Sequence, residues 1–269
     1  MSAFVAAAVL AFATTSPFQT PASDRLLDAA GVKIHIQCQG DRKAGAPLVL
    51  LEAGAGNSAR TWRDVFAPIA QFARVCAYDR PGLGTSEQTP QPRLPLDIIA
   101  TLHALLGKAG ERAPYVMVGH SWGGEIVRLY AMQYPAEIVG LVLIDSSHEE
   151  QVKRFAAIAP AAPPGNGGRL GVTPPSAPPP EQADLVTMGA ELSKKPWHAN
   201  IPLVVLTRTP PADPQADPRG QVWQELQREL ATRSPQGEQI VAQKSGHYVQ
   251  NDEPTLVIDA VRRVLRRLS

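Results

Sequence analysis

A serine flanked by glycines stands where an apolar segment gives way to a helical pattern. The motif GHSWG (119–123) has Ser121 at its centre and follows the apolar run YVMV (115–118). A serine on a sharp strand-to-helix turn has a strained backbone, so its neighbours must be small, and its Oγ projects at the positive end of the helix. The pattern therefore predicts that Ser121 is a nucleophile rather than a structural serine.

A serine nucleophile needs a neighbouring base, and the sequence offers six histidines. His247 directly follows the last predicted strand, so its loop can bring the imidazole to within hydrogen-bond reach of Ser121 Oγ. His148, at the edge of a long insertion, is the second candidate. A single histidine is more often a surface or core residue, but the position of His247 predicts a general base.

The elements that would carry these residues alternate between strand-like and helix-like patterns along most of the chain. After a hairpin over 25–37, strands are predicted at 47–54, 74–79, 115–120, 139–145, 201–207 and 238–243, and helices at 62–72, 96–106, 123–134, 219–232 and 254–268. Strands that alternate with helices favour a mostly parallel sheet covered on both faces. We therefore predict an α/β fold that spans residues 23–269 as one domain.

One interval interrupts the alternation. More than fifty residues between Asp145 and Ile201 have no strong strand pattern; helical pieces at 149–158 and 180–194 flank a Pro/Gly-rich stretch. A long insertion inside a compact domain is usually functional or disordered. We expect a short helical, proline-rich lid over about 147–200.

Composition excludes several classes of protein. Of the 269 residues, 44% are hydrophobic and 19% charged, which is typical of a soluble globular protein. The formal net charge of +1 indicates neither a nucleic-acid partner nor an anionic membrane partner. Two cysteines outside any CxxC pair cannot form a metal site by themselves, so no metal is predicted.

The N-terminal residues are treated separately from the fold. The apolar run over 4–13 is too short to span a bilayer but suits the core of a signal peptide, although no Lys or Arg precedes it. We expect residues 1–22 to be a signal peptide or a flexible arm. The protein would then be secreted or periplasmic, and a cytoplasmic location is the alternative.

The chain resembles the α/β-hydrolase superfamily over roughly 25–268. Besides GHSWGG (119–124), the segment CAYDRPGLGTSE (76–87) is similar to the family's turn after the fourth strand, and SGHYVQNDEP (245–254) to its histidine loop. The resemblance implies an eight-stranded sheet in which the antiparallel second strand lies beside the fourth. It places Cys38 and Cys76 on neighbouring strands, as a disulfide or as two buried thiols.

The family places the acid of its catalytic triad after either the sixth or the seventh strand. In this sequence Asp145 ends the sixth predicted strand, whereas Asp213 lies in the proline-rich loop after the seventh. A carboxylate at a strand end is rigidly aimed, and one in such a loop is not. We favour Asp145, with Asp213 as the alternative.

The oxyanion hole departs from the family pattern. Most members have His-Gly after the third strand, and this chain has EAGAG (52–56). Backbone N–H groups make the hole, so the loss of the histidine need not remove it. Ala55 and Trp122 are the expected donors, and Glu52 is either an anchor to Arg60 or Arg80 or a solvated strand end.

The resemblance implies a serine hydrolase that cleaves carboxylic esters through an acyl-enzyme, without a cofactor. Haloalkane dehalogenases and epoxide hydrolases resemble this fold but use an aspartate where Ser121 stands. The expected substrate is a small, largely apolar ester, and four aromatic residues are candidates to line its pocket: Trp62, Trp122, Phe155 and Trp197. For Trp62, packing in the core is at least as good an interpretation. Hydrolysis of another bond (amide, lactone, thioester or C–C) is the alternative, as is a ligand-binding receptor with vestigial activity.

Overall fold

The computed structural model describes residues 22–89, 93–158, 184–194 and 197–268, in which strands and helices alternate. The strands are β1 (Ser23–Ala29), β2 (Val32–Gln39), β3 (Leu48–Glu52), β4 (Val75–Tyr78), β5 (Tyr115–His120), β6 (Ile138–Ile144), β7 (Leu203–Thr207) and β8 (Gly237–Val241). The helices are α1 (Arg63–Ala70), α2 (Pro95–Ala109), α3 (Trp122–Gln133), α4 (Gln151–Ala157), α5 (Leu185–Ser193), α6 (Pro218–Ala231), α7 (Val249–Asp252) and α8 (Pro254–Arg266).

All eight strands form one sheet in the order β1-β2-β4-β3-β5-β6-β7-β8. Strand β2 is antiparallel to both β1 and β4, and the pairs from β4 to β8 are parallel. The prediction of a mostly parallel eight-stranded sheet is therefore confirmed. The parallel strands all end at one side of the sheet, called the carboxyl edge below, and binding sites in open α/β sheets lie there.

The central strands are mostly apolar, with polar residues at their carboxyl ends, because helices cover both faces of the sheet. In β3, Leu48 and Leu50 pack into the core beneath α2 and α3, whereas Val49 and Leu51 pack into the core beneath α1 and α8. Every residue of β3, β5 and β7 is buried. These rigid strands fix the positions of the residues that follow them at the carboxyl edge.

The two cysteines lie directly opposite each other in the antiparallel pair of β2 and β4. Cys38 is paired in register with Cys76, and the two side chains form a disulfide that is buried in the core. Of the two arrangements that the resemblance allowed, the structure therefore has the disulfide.

The insertion between β6 and β7 contains α4 and α5, close to the two expected helical pieces. Asp184 caps α5, because its carboxylate accepts hydrogen bonds from the N–H groups of Val186 and Thr187. Helix α5 packs against α2 and α3. The Pro/Gly-rich centre of the insertion (159–183) and the N-terminal segment (1–21) lie outside the described residues. Among the described helices, none has the length and apolar character needed to cross a membrane.

Candidate active site

The turn between β5 and α3 holds Ser121 in a strained conformation. Its φ is 53° and its ψ is −123°, values that L-residues rarely adopt. The flanking glycines are required by close approach: a Cβ at Gly119 would lie 2.6 Å from the Gly123 oxygen, and one at Gly123 would lie 2.5 Å from the Glu52 oxygen. The turn therefore presents the Ser121 side chain at the carboxyl edge, at the start of α3.

A chain of hydrogen bonds joins three of the predicted site residues. His247 Nε2 lies 3.0 Å from Ser121 Oγ, and His247 Nδ1 lies 2.6 Å from Asp145 Oδ2. Because a carboxylate only accepts hydrogen bonds, Nδ1 carries the imidazole proton and Nε2 is left to accept from the serine hydroxyl. The His247 side chain is 31% exposed, whereas that of Asp145 is fully buried. The arrangement can remove a proton from Ser121 and stabilise the cation that forms.

Asp145 is held from several sides. Its Oδ1 accepts hydrogen bonds from the indole N–H of Trp223, at 2.6 Å, and from the backbone N–H of Arg208, at 3.2 Å. The Arg208 Nε lies 3.6 Å from Oδ2. A buried carboxylate is tolerated when such donors and charges surround it. Sequence reasoning missed Trp223 and Arg208; the signal for Trp223 was an indole N–H that needs an acceptor once buried on α6.

Asp213, the alternative acid, makes only local contacts among the described residues. Its Oδ1 accepts hydrogen bonds from the N–H groups of Gln215, at 2.9 Å, and Ala216, at 3.3 Å, in an exposed turn. Nearby Asp217 caps α6 through the Gly220 N–H. The structure thus brings Asp145, not Asp213, to His247.

The loop after β3 lies against Ser121. A Cβ added at Gly54 would be 3.2 Å from Ser121 Cβ. Among the described residues, the backbone N–H groups of Gly54, Ala55 and Trp122 have no acceptor. Free N–H groups on both sides of a serine can bind an oxyanion. Ala55 and Trp122 were the predicted donors, and Gly54 is a third candidate that the sequence did not single out.

Glu52 anchors this loop instead of ending in solvent. It is fully buried, and its carboxylate accepts hydrogen bonds from the Arg80 guanidinium and the Tyr78 hydroxyl. Of the two arginines considered from the sequence, Arg80 is therefore the partner.

His120 connects the two halves of the site. It is fully buried, and its Nε2 donates to the backbone oxygen of His247 at 2.8 Å. Burial, with a contribution from His247, lowers the pKa of His120 to about 3. The neutral His120 ring, directly before Ser121 in the chain, therefore holds the loop that carries His247.

His148, the second candidate base, lies just before α4. Its Nδ1 accepts a hydrogen bond from the Glu150 N–H at 3.0 Å, and burial lowers its pKa to about 4. Within the described residues, His247 is the imidazole that contacts Ser121 Oγ.

Two of the four aromatic residues considered for the pocket lie elsewhere, and Trp62 has the core position that was its alternative. Trp62 is fully buried in the core beneath α1 and α8. Trp197 lines a small cavity with Met132 and Ile138 near the start of β6, at the opposite edge of the sheet from Ser121. Core packing and chain direction placed these side chains away from the site. Phe155 is near the acid side of the site, since its ring lies 6.4 Å from that of Trp223.

One group among the described residues has the composition of a metal site, and it lies away from Ser121. Cys38, Cys76 and Glu111 place ligand atoms within 4.8 Å of one another. Both sulfurs are joined in the disulfide, and Glu111 accepts hydrogen bonds from Arg74. These atoms are therefore already engaged with protein partners.

Comparison with known proteins places the chain in a family. Residues 46–260 match the family model of the alpha/beta hydrolase fold. The chain is 30% identical over 229 residues to the Bacillus subtilis (strain 168) protein named "Uncharacterized protein YqjL", covering 84% of this chain and 86% of the relative.

Solved structures with the same fold include an esterase and an epoxide hydrolase. The esterase of Thermogutta terrifontis, with malate bound, has a TM-score of 0.64 and 20% identity, covering 92% of this chain and 99% of the esterase. Epoxide hydrolase A of Mycobacterium thermoresistibile has a TM-score of 0.69 and 20% identity, covering 91% of this chain and 98% of the hydrolase. At this identity the likeness concerns the fold. The family match spans most of the sequence, and the chain therefore belongs to the alpha/beta hydrolase fold family.

Proposed function

We propose that this protein is a serine hydrolase that cleaves carboxylic esters through an acyl-enzyme. The observation that carries the proposal is the hydrogen-bonded chain from Ser121 Oγ through His247 to Asp145, at 3.0 and 2.6 Å. A nucleophile, its base and an orienting acid within such distances form the arrangement that acyl transfer requires. An epoxide hydrolase reaction is less well supported, because a serine stands at the nucleophile position.

The reaction would proceed in two halves. Ser121 Oγ attacks the ester carbonyl carbon while His247 Nε2 takes the hydroxyl proton, and the proton then passes to the departing alcohol. Water next attacks the acyl-enzyme, giving one proton to His247, and Ser121 recovers that proton when the carboxylic acid leaves. Asp145 holds the imidazole in its tautomer and stabilises the cation in both halves.

The backbone N–H groups beside Ser121 would stabilise the tetrahedral intermediates. Trp122 N–H lies at the start of α3, and Ala55 and Gly54 N–H lie on the loop against Ser121. Such donors act on charge that develops only in the transition state, so they raise the rate and not merely the affinity.

The substrate would be a small ester with apolar parts. A cavity of about 80 Å³ next to Trp122 is lined by the apolar residues Leu94, Pro95 and Ile98 and by polar residues, which are Arg93 and, from the insertion, Asp184 and Thr187. This volume suits a short acyl or alkyl group. We propose that the insertion acts as a lid, since the cap of α5 contributes to this cavity.

A fluorophosphonate probe tests the proposal. It should label Ser121 stoichiometrically, with the adduct found on the peptide that contains 119–124, and p-nitrophenyl butyrate should slow the labelling. A receptor with vestigial activity would label slowly or not at all. Labelling of Ser121 without turnover of any p-nitrophenyl ester would exclude ester cleavage and favour the amide, lactone, thioester or C–C alternatives.

We also propose that the protein acts in an oxidising compartment, secreted or periplasmic. The buried disulfide between Cys38 and Cys76 supports this, because structural disulfides are typical of exported proteins. Fractionation of producing cells tests it: enzyme confined to the cytosol with both thiols free would contradict the proposal.

A further inference from the structure

We infer that Arg80 is the positioning residue of the oxyanion hole, in place of the histidine that most family members have after the third strand. The inference rests on the proposed function, since it concerns the same site. Arg80 does not touch the reacting atoms. It acts through the loop after β3 and through Trp122.

The guanidinium of Arg80 binds this loop by two of its carbonyl groups. Its Nη1 donates to the Ala53 oxygen at 2.6 Å, and its Nη2 donates to the Gly54 oxygen at 2.7 Å. The Arg80 side chain is only 3% exposed, so water does not compete for these bonds. Charge-assisted hydrogen bonds in a buried site are among the stronger polar contacts in proteins.

The direction of these carbonyl groups sets the direction of the N–H groups. In a trans peptide, the carbonyl of one residue and the N–H of the next point to opposite sides of the chain. Because Arg80 draws the oxygens of Ala53 and Gly54 towards itself, the N–H groups of Gly54 and Ala55 point away from it. Both N–H groups lack an acceptor within the described residues, as an oxyanion hole requires.

Arg80 also contacts the residue on the other side of the hole. Its guanidinium carbon lies 5.3 Å from the centre of the Trp122 ring. This cation–π contact links the loop after β3 to the start of α3. One side chain therefore fixes the distance between the two groups of donors.

The surroundings of Arg80 hold it in place. Glu52 supplies a buried counter-charge and is itself bound by the Tyr78 hydroxyl. The turn that carries Arg80 is held by Asp79, whose carboxylate accepts the N–H groups of Ala59, at 2.7 Å, and Thr85, at 3.1 Å. Only the planar fork of an arginine reaches two carbonyl oxygens and a carboxylate at once.

The test is the kinetics of Arg80→Met and Arg80→Lys with p-nitrophenyl butyrate. One oxyanion-hole donor contributes about 10²–10³-fold to kcat, and misaligned donors lose part of that contribution. In Arg80→Met, kcat should therefore fall about 10- to 100-fold, and KM should stay within about threefold of the wild-type value. In Arg80→Lys, log kcat should recover less than half of the decrease seen in Arg80→Met. Affinity for a trifluoromethyl ketone, which mimics the oxyanion, should fall by the same factor as kcat/KM.

The matched control is Arg74→Met. Arg74 is also a buried arginine paired with a glutamate, Glu111, and with a backbone oxygen, but it precedes β4 at the opposite edge of the sheet. It should lower stability without lowering kcat per folded molecule. Glu52→Gln, which keeps a hydrogen-bonding oxygen, is a milder second variant for the case in which Arg80→Met does not fold. It should lower kcat and leave KM unchanged.

Equal kcat and ketone affinity in Arg80→Met and Arg74→Met would overturn the inference while leaving the proposed function intact. If Arg80→Met does not fold, unchanged ketone affinity in both Arg80→Lys and Glu52→Gln would overturn it. Failure of the proposed function would be seen separately, as wild-type protein without Ser121-dependent turnover.

Discussion

His247 Nδ1 lies 2.6 Å from Oδ2 of Asp145, the aspartate that directly follows β6. The alternative acid, Asp213, lies in the loop after β7. The contact of His247 with Asp145 predicts which carboxylate matters for activity. Asp145→Asn should lower kcat about 10⁴-fold, because the amide no longer holds the imidazole in the tautomer that accepts the serine proton. Asp213→Asn, in an exposed turn, should stay within twofold of wild type. Steady-state kinetics of the two purified variants decide the matter; equal losses, or a loss in Asp213→Asn alone, would reject the assignment.

The indole of Trp223 should stabilise the buried acid. Trp223→Phe removes the N–H that donates to Asp145 Oδ1, and loss of a hydrogen bond to a charged group costs about 1.5–3 kcal/mol in the free energy of unfolding. Urea denaturation followed by circular dichroism measures this change.

Trp62→Phe is the control for that experiment. The Trp62 indole N–H is buried without an acceptor among the described residues, so its removal breaks no hydrogen bond. Equal destabilisation by the two changes would show that the bond to Asp145 contributes nothing beyond packing.

The disulfide should stabilise the fold without assisting the reaction. Cys38 and Cys76 are 38 residues apart, so the double change to alanine should lower the free energy of unfolding by about 4 kcal/mol through the entropy of the unfolded chain. The activity at 25 °C should remain within twofold, since both cysteines lie away from the carboxyl edge. Guanidinium denaturation and an ester assay measure the two effects, and a variant as stable as wild type would contradict the first.

Glu125 should make stability depend on pH. It lies one turn after Ser121 on α3, fully buried, and neither carboxylate oxygen has a hydrogen-bond partner among the described residues. Burial raises the pKa of Glu125 from 4.5 to about 8, opposed in part by Arg128. The unfolded chain therefore ionises first, and stability is lost between about pH 4.5 and 8, at up to about 1.4 kcal/mol per pH unit.

Glu125→Gln removes this dependence because the amide stays neutral at every pH. The variant should be more stable than wild type at pH 8–9, and the difference should disappear towards pH 4–5. Denaturation midpoints across this range provide the measurement. A difference between the two proteins that does not change with pH would refute a neutral Glu125.

Most of the fold could be predicted from the sequence because its central strands are nearly continuous apolar runs between helical patterns. Helix α7 was missed, since its four residues are too few to show a period. The disulfide stayed open until the register of β2 against β4 was known. These details depend on contacts between elements and not on local pattern.

The candidate site divides in the same way. Ser121 and His247 could be proposed from their places after β5 and β8, since chain direction alone brings strand ends together. The donors to Asp145 could not be proposed from the sequence. Trp223 is 78 residues from Asp145 in the chain, and the packing of α6 sets the direction of its side chain. The contacts of Arg80 with Ala53 and Gly54 were equally hidden, because they depend on how a turn folds back over the sheet.

Ser121 is the residue on which the proposed reaction depends most directly. Ser121→Ala should lower kcat/KM for p-nitrophenyl butyrate about 10⁴-fold or more, with circular dichroism and thermal midpoint unchanged, because the change removes the proposed nucleophile. Ser193→Ala removes a hydroxyl that donates, among the described residues, to the Gly189 oxygen of its own helix, and this change should leave the rate unchanged. A folded Ser121→Ala enzyme that keeps activity within tenfold of wild type would contradict the proposed function.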